Sequence, residues 1–428
     1  MKLNGVPGSS LFFAVGFCFC LVAVANPGCS SNPTGTASGE DMPSGGMGGA
    51  ADDNASESGG TGSVPNNTGG SIAFDRDAGP SASTDASGPM TLDARAPDPV
   101  IPPGLVPVVV AMGHGGRSAV SCNGGRSLRI NDFHKTPDDD HSAHALTGLA
   151  GGIGAIIATA GWGAPGRIYY SDDAVEWTEL PAGNFTMRNG TVGPSTENTS
   201  AGFFDGTQWK AFWSHRVWAS MNGSTWKETA FAPTNISHIR DVEFYPDNNV
   251  LIMRVERDEN GGRNFLMMTS ADLGQTYKIW SPITTGCPAF QWGPIAYSHG
   301  IIVAGGSGGG VCRSGDGGKS WNPVPNIAGV KAMFADRKAI YVVRGDELSR
   351  SEDGLTWTRV LKANAQLANG AWSIQTGAVV AASSNGQLQF FRSDDGITWT
   401  PSAKVNGGFN VLRMRMAHVK PNPKCPQN

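Results

Sequence analysis

No stretch of this chain repeats its apolar residues with a sustained helical period, so a helical bundle and a helix-covered parallel sheet are both excluded. There is no CxxC, no HExxH and no P-loop, which removes the chemistries that those spacings announce. The glycine-rich run Gly305 to Gly310 joins one expected strand to the next with no helix behind it, so it is not read as a phosphate cradle. Charge is sparse, with Asp, Glu, Lys and Arg making up 16% of the chain and a net of −4. No run of Lys and Arg interleaves with aromatics, so nucleic acid is not an expected partner.

What the chain does have is one short phrase written seven times. The clearest copies are Ser393-Asp394-Asp395-Gly396-Ile397-Thr398-Trp399 and Ser351-Glu352-Asp353-Gly354-Leu355-Thr356-Trp357. Longer forms begin at Ser314 and Ser270, and the Ser220 copy has Asn222 in place of Asp. The Ser171 copy loses its glycine to Ala174, and the most worn copy runs from Ser121 to Leu128. Their starts lie 50, 49, 50, 44, 37 and 42 residues apart, and a period of roughly 40–50 is the spacing of propeller blades. An Asp or Asn in a tight turn bonds its own downstream N–H groups, and glycine supplies positive φ. The aromatic that follows starts the next strand and is placed to wedge between sheets.

The phrase resembles the Asp-box, or BNR, repeat of sialidase-like β-propellers, over about residues 105–420. The resemblance implies that each box sits on the turn between the third and fourth strands of a blade. It makes Asn123, Asp173, Asn222, Asp272, Asp316, Asp353 and Asp395 turn formers, away from the ligand face. Period-2 apolar runs precede the boxes, among them Trp209–Trp213, Val250–Val255 and Ala339–Val343. Before the first box, Val106–Met112 and Ser118–Val120 supply only two strands, and the alternating run Asn410–Ala417 has no box after it. The expectation is all-β: a single propeller of seven four-stranded blades, the first completed by the C-terminal strand, with no open edge.

Residues 1–29 read as an export signal, with Lys2 as n-region and an apolar run from Leu11 to Ala25 too short for a comfortable membrane span. Cleavage after Ala23-Val24-Ala25 would leave five cysteines. Processing at Gly28-Cys29, which resembles a bacterial lipoprotein site although Asn26 stands where Leu is usual, leaves an even four outside the lipid anchor. The second reading is favoured, with Cys29 as the lipidated residue. Residues 30–104 are Gly/Ser/Asp-rich and expected to be a disordered tether; their ten acidic residues against Arg76 and Arg95 give −8. Taking away that −8 and the +1 of Lys2 leaves residues 105–428 at +3. Residues 421–428 are read as a tail. Cys122, Cys287, Cys312 and Cys425 are expected to form two disulfides in an oxidising compartment, with the pairing open. The expected location is the cell envelope, as an outer-membrane lipoprotein, or alternatively periplasmic or secreted.

Propeller ligands bind near the axis, at the loops that lead into each innermost strand. Those loops carry Asp138, Asp139, Asp140, His141 and His144 for blade two, and Glu197 with Asn198 for blade three. They carry His238, Arg240 and Asp241 for blade four, then Gln291 with Trp292, Lys331, and Trp372 for the next three; Asn410 and Arg413 lead into the first. The candidate ligand set is His141, His144, Glu197, His238, Arg240, Trp292, Lys331, Trp372 and Arg413, a mixture suited to sugars or polar polymers. The dense stretch His134 to His144 matches no metal signature and is read as a solvated acidic turn; no metal and no cofactor are expected.

A sialidase uses three arginines, a Tyr–Glu pair and an Asp acid. Here the Phe/Tyr-Arg-Ile-Pro motif is missing, only six tyrosines exist, and Arg117, Arg167 and Arg216 fall on third strands, where they are expected to flank neighbouring blades. The expectation is therefore a binding or scaffolding propeller held to the membrane by a lipid, its ligand a glycan or an envelope protein, and not an enzyme. The alternative is a glycoside hydrolase or lyase acting on extracellular polysaccharide through Asp140, Glu197 or Asp241.

Overall fold

The computed structural model of the chain describes residues 100–425 apart from 134–144, 162–165, 193–198, 214–215, 230–235, 246–249, 260–261, 273, 275, 281–286, 288–292 and 306–309. Among the described residues the only helical segments are two single 3-10 turns, His114–Gly116 and Ala182–Asn184. Everything else regular is strand. Seven antiparallel sheets form the blades of one propeller, each built outward from the axis as a four-stranded meander. Two short additions lie outside this plan: Phe185–Thr186 on the rim of blade three, and Val405–Asn406 beside the third strand of blade seven.

The first blade joins the two ends of the fold. Its innermost strand is Arg413–Val419, antiparallel to Val106–Met112 in the register Met112↔Arg413 to Val106↔Val419. Ser118–Ser121 and Arg129–Ile130 complete it. The strand runs two residues beyond the Ala417 expected from the sequence. The innermost strands of the other blades are Leu146–Gly151, Thr199–Phe204, His238–Tyr245, Ile295–Ser298, Ala332–Ala335 and Gln366–Ser373. Each touches the next around a closed ring, with Arg413–Val419 between the seventh and the second.

The closure is fastened covalently. Cys425 pairs with Cys122, 303 residues away, and Cys287 pairs with Cys312. Between Val419 and Cys425 the chain lies on the box turn of blade two. There the Lys420 ammonium meets Asp172 at 2.6 Å, the Asn422 amide donates to Asp173 at 2.6 Å, and Lys424 pairs with Glu176.

All seven boxes fold alike, on the turn between third and fourth strands. In each, the serine hydroxyl donates to the Asp or Asn oxygen two residues on, at distances between 2.7 and 3.1 Å. That same oxygen accepts downstream backbone N–H groups, as Asp353 does from Leu355 and Thr356 at 2.8 and 2.7 Å. The glycine takes positive φ, 70° at Gly354 and 71° at Gly396, and where the glycine is lost Ala174 holds φ 63°.

The residue that ends each box fills the gap to the preceding blade. Trp177 packs between blades one and two, Trp226 between two and three, Tyr277 between three and four, and Trp321 between four and five. Trp357 and Trp399 fill the next two gaps. In the worn first box Leu128 takes the same place, between blades seven and one. Seven clusters in seven gaps are the core, and burial of these large side chains is its main driving force.

The arginines that begin the third strands have partners within their own blades: Arg167 pairs with Glu179 at 2.5 Å and Arg216 with Glu228 at 3.0 Å, each on the fourth strand. Twelve residues apart, these partners are cross-strand neighbours over the box hairpin. Arg117 pairs with Asp132 at 2.9 Å and also donates to the Gly407 carbonyl of the adjoining blade.

Candidate functional site

Within a blade the first and third strands run in the same direction, so the box turn lies at the end where the innermost strand finishes. The start of each innermost strand lies at the other end. The boxes therefore occupy one face of the propeller, and the loops leading to the axis occupy the opposite face.

On that opposite side a cavity of about 250 Å³ opens along the axis, lined from blades four, five, six, seven and one. Blade four contributes Asp241 and Glu243, blade six Lys331 to Met333, blade seven Ala368 and Asn369, and blade one Asn410 to Arg413 and Arg415. Pro294 and Ile295 of blade five complete the wall. Successive side chains of a strand point to opposite faces, so residues two apart share the axial face. This is why Asp241 comes with Glu243, and Arg413 with Arg415.

These four residues meet across the axis. Arg415 lies 2.8 Å from both carboxylate oxygens of Glu243, and Arg413 lies 3.4 Å from Asp241. Asp241 has further partners: Arg254 on the next strand donates to it at 2.9 Å, and the Val242 N–H at 3.0 Å. Burial pushes the Asp241 carboxyl up, but the charges of Arg413, Arg254 and Arg415 outweigh it and hold the group below the ordinary carboxylate range. For Glu243 burial wins over Arg415, with the Asp241 charge adding to it, and its carboxyl is raised. The two carboxylates are counter-ions of arginines.

Of the residues expected from sequence, Lys331 and Arg413 line this cavity, together with Asp241 and Asn410. His238 begins the innermost strand of blade four, where its Nδ1 sits 3.5 Å from the buried Glu256, and it does not line the cavity. Arg240 lies on the same strand, at the irregularity in register between Ile239 and Asp241. Trp372 is at the wrong end: its strand starts at Gln366, and Trp372 is near the finish, on the side of the boxes, with the Arg337 guanidinium 5.5 Å from its ring centre. His141, His144, Glu197 and Trp292 lie outside the described residues, as do Asp138, Asp139, Asp140, Asn198 and Gln291. Cys29 and the segment up to residue 99 do too.

Glu243, Arg254, Asn369 and Arg415 were not singled out in the sequence. The signal was there for Glu243 and Arg415, since a charge repeated at i and i+2 in an innermost strand is costly unless it serves something. Among the described residues no cluster of His, Cys, Asp or Glu is arranged to hold a metal ion.

No family model and no curated protein sequence matches the chain. Among solved structures it is similar to apo AztD from Citrobacter koseri, at 10% identity over 74% of this chain and 99% of that one, with a TM-score of 0.44. YCF48 bound to D1 peptide is similar at 12% identity over 71% and 88%, TM-score 0.42. The Niastella koreensis GH74 enzyme is similar at 17% identity over 71% and 47%, TM-score 0.28. Nothing about ligand or activity follows from likenesses this distant.

The chemistry of the cavity itself is clearer. Its walls are polar and charged at the axis and small or aliphatic elsewhere, and its cations outnumber its carboxylates. Such a lining can hold and orient a polar group.

Proposed function

We propose that this chain is an Asp-box propeller of the cell envelope that binds a glycan, or an envelope protein, at the axial mouth opposite its boxes. In this reading Cys29 carries a lipid, and residues 30–104 are the tether that lets the propeller range over the membrane surface. The carrying observation is the division of labour between the two faces. Box oxygens such as Asp353 Oδ1 are occupied by their own turn, whereas the opposite face gathers Asp241, Glu243, Lys331, Asn369, Arg413 and Arg415 around one open cavity.

A binding role fits better than hydrolysis because Asp241 and Glu243 are already held by arginines. The test is a glycan array probed with the full-length protein and with Arg240→Ala, Trp292→Ala, Asp353→Ala and Asp395→Ala. The first two should lose binding with melting temperature nearly unchanged, and the last two should lose stability with binding intact. Box variants that lost binding without losing stability would refute the assignment of faces. Release of reducing ends from a bound oligosaccharide would favour the hydrolase reading.

A further inference from the structure

We infer that the axial cavity is an oxyanion subsite, taking one carboxylate or sulfate group of a sugar residue between Arg413 and Lys331. This rests on the reading that the mouth is a glycan-binding face and adds the class of sugar it selects.

The charge balance comes first. The cavity lining brings three cations, Arg413, Arg415 and Lys331, with Arg254 bonded to Asp241 from behind, against the two carboxylates Asp241 and Glu243. Two positive charges are therefore in excess among these six residues, in a place where low-dielectric walls strengthen their field.

Geometry shows which two. Arg415 is committed to Glu243 at 2.8 Å, and Arg254 to Asp241 at 2.9 Å. Among the described residues Arg413 has a 3.4 Å contact to Asp241 and a 3.3 Å bond to the Leu412 carbonyl. At that length the hydrogen bond is weak, although the Arg413 charge is the first of those that hold the Asp241 carboxyl down. Lys331 is exposed at the rim and makes no ion pair among the described residues. An incoming oxyanion shares Arg413 with Asp241, whose carboxylate keeps its 2.9 Å bond to Arg254. A guanidinium fork suits a carboxylate or sulfate well.

Size sets the rest. Sites for drug-sized ligands run roughly 300–1,000 Å³, and this cavity is about 250 Å³. It admits one charged residue of a polymer, with the remainder lying across the mouth near Asn410, which is exposed.

The experiment is calorimetric titration of the full-length protein with a uronic-acid oligosaccharide, its neutral counterpart and inorganic sulfate, at low and high salt. The acidic oligosaccharide should bind at least ten-fold more tightly than the neutral one and weaken with salt, and sulfate should compete with it. Arg413→Gln and Lys331→Gln should each erase most of that preference. Lys331→Gln alters an exposed side chain, so an effect there is not a folding defect. Equal affinity for acidic and neutral oligosaccharides would overturn the subsite and leave the glycan reading standing. Binding of neither, with an acidic peptide binding instead, would overturn both.

Discussion

The Nη2 of Arg415 sits 2.8 Å from both carboxylate oxygens of Glu243, although 172 residues separate the two. The pair spans the axis, from the strand that closes the ring to the innermost strand of blade four. It therefore acts as a strut between opposite sides of the propeller.

Removing Arg415 should cost stability. Exposed ion pairs contribute about 0–1 kcal/mol and breaking a fully buried one costs about 3–5. With side chains 26% and 21% exposed to the cavity, Arg415→Ala should fall between, near ~2 kcal/mol in urea unfolding at pH 7. Glu243 already has a raised carboxyl in the native protein, and without Arg415 it rises further. A raised acid destabilises the fold above its native pKa and ceases to do so once protonated. The deficit of Arg415→Ala should thus shrink as pH falls from 7 towards 5, and a deficit that grew would contradict this account.

The box aspartates predict the opposite trend for the intact protein. The backbone N–H of Thr356 is the main cause that lowers Asp353 to about 2, and Thr398 acts likewise on Asp395. A depressed carboxyl stabilises the fold above its unfolded value, near ~4, and that stability is lost as pH falls through the native value. Stability should decline between about pH 4 and 2. Asp353→Ala should cost about 1 kcal/mol through lost turn bonds. Asp353→Asn should cost less and flatten part of the acid decline, since Asn222 accepts the same bonds from Ser224 and Thr225 at 3.0 and 2.9 Å.

Glycine is required at some boxes and not at others. A methyl group at Gly396, φ 71°, would collide with the Tyr341 hydroxyl, which Asp336 holds in place at 2.6 Å. Gly396→Ala should lower stability by about 2 kcal/mol, from left-handed strain plus the collision. At Ala174 the methyl is buried in the gap between blades one and two, so Ala174→Gly trades relieved strain for lost packing and should stay within about 1 kcal/mol. Thermal unfolding of both variants checks the contrast.

Deleting residues 409–428 should unfold all seven blades together, because it removes the innermost strand of blade one and opens the ring. Cys122→Ser keeps the strand but frees the tail. Its loop of 303 residues puts the expected loss near the upper end of the disulfide range, ~5 kcal/mol in the chain-entropy account. A truncated protein melting like the intact one would refute the closure argument.

Cys29→Ser should release the protein from membranes into the soluble fraction. Mature protein whose first residue is Asn26 would rule out the lipid anchor.

What could be read from the chain is local. The serine, aspartate, glycine and aromatic of a box interact within about seven positions, so the turn is encoded where it stands, even at Asn222 or Leu128. Seven such turns in phase, with period-2 runs between them, imply the blades, and the unpaired run at Asn410–Ala417 implies the closure. The site was legible only in part. Lys331, Asp241, Asn410 and Arg413 were expected near the axis and line the cavity, but Trp372 was assigned to the wrong end because the start of its strand, Gln366, carries no apolar signal.

Only the closed ring decides the rest. Turn chemistry acts between neighbours in sequence, whereas the partners of Arg413 and Arg415 come from strands 172 residues away. Cys425 likewise finds Cys122 only because the last strand returns beside the first. The chain supplied turns, strands and a count of blades by short-range physics. Which charges face one another, and which thiols meet, depended on the geometry that brings distant strands to a common axis.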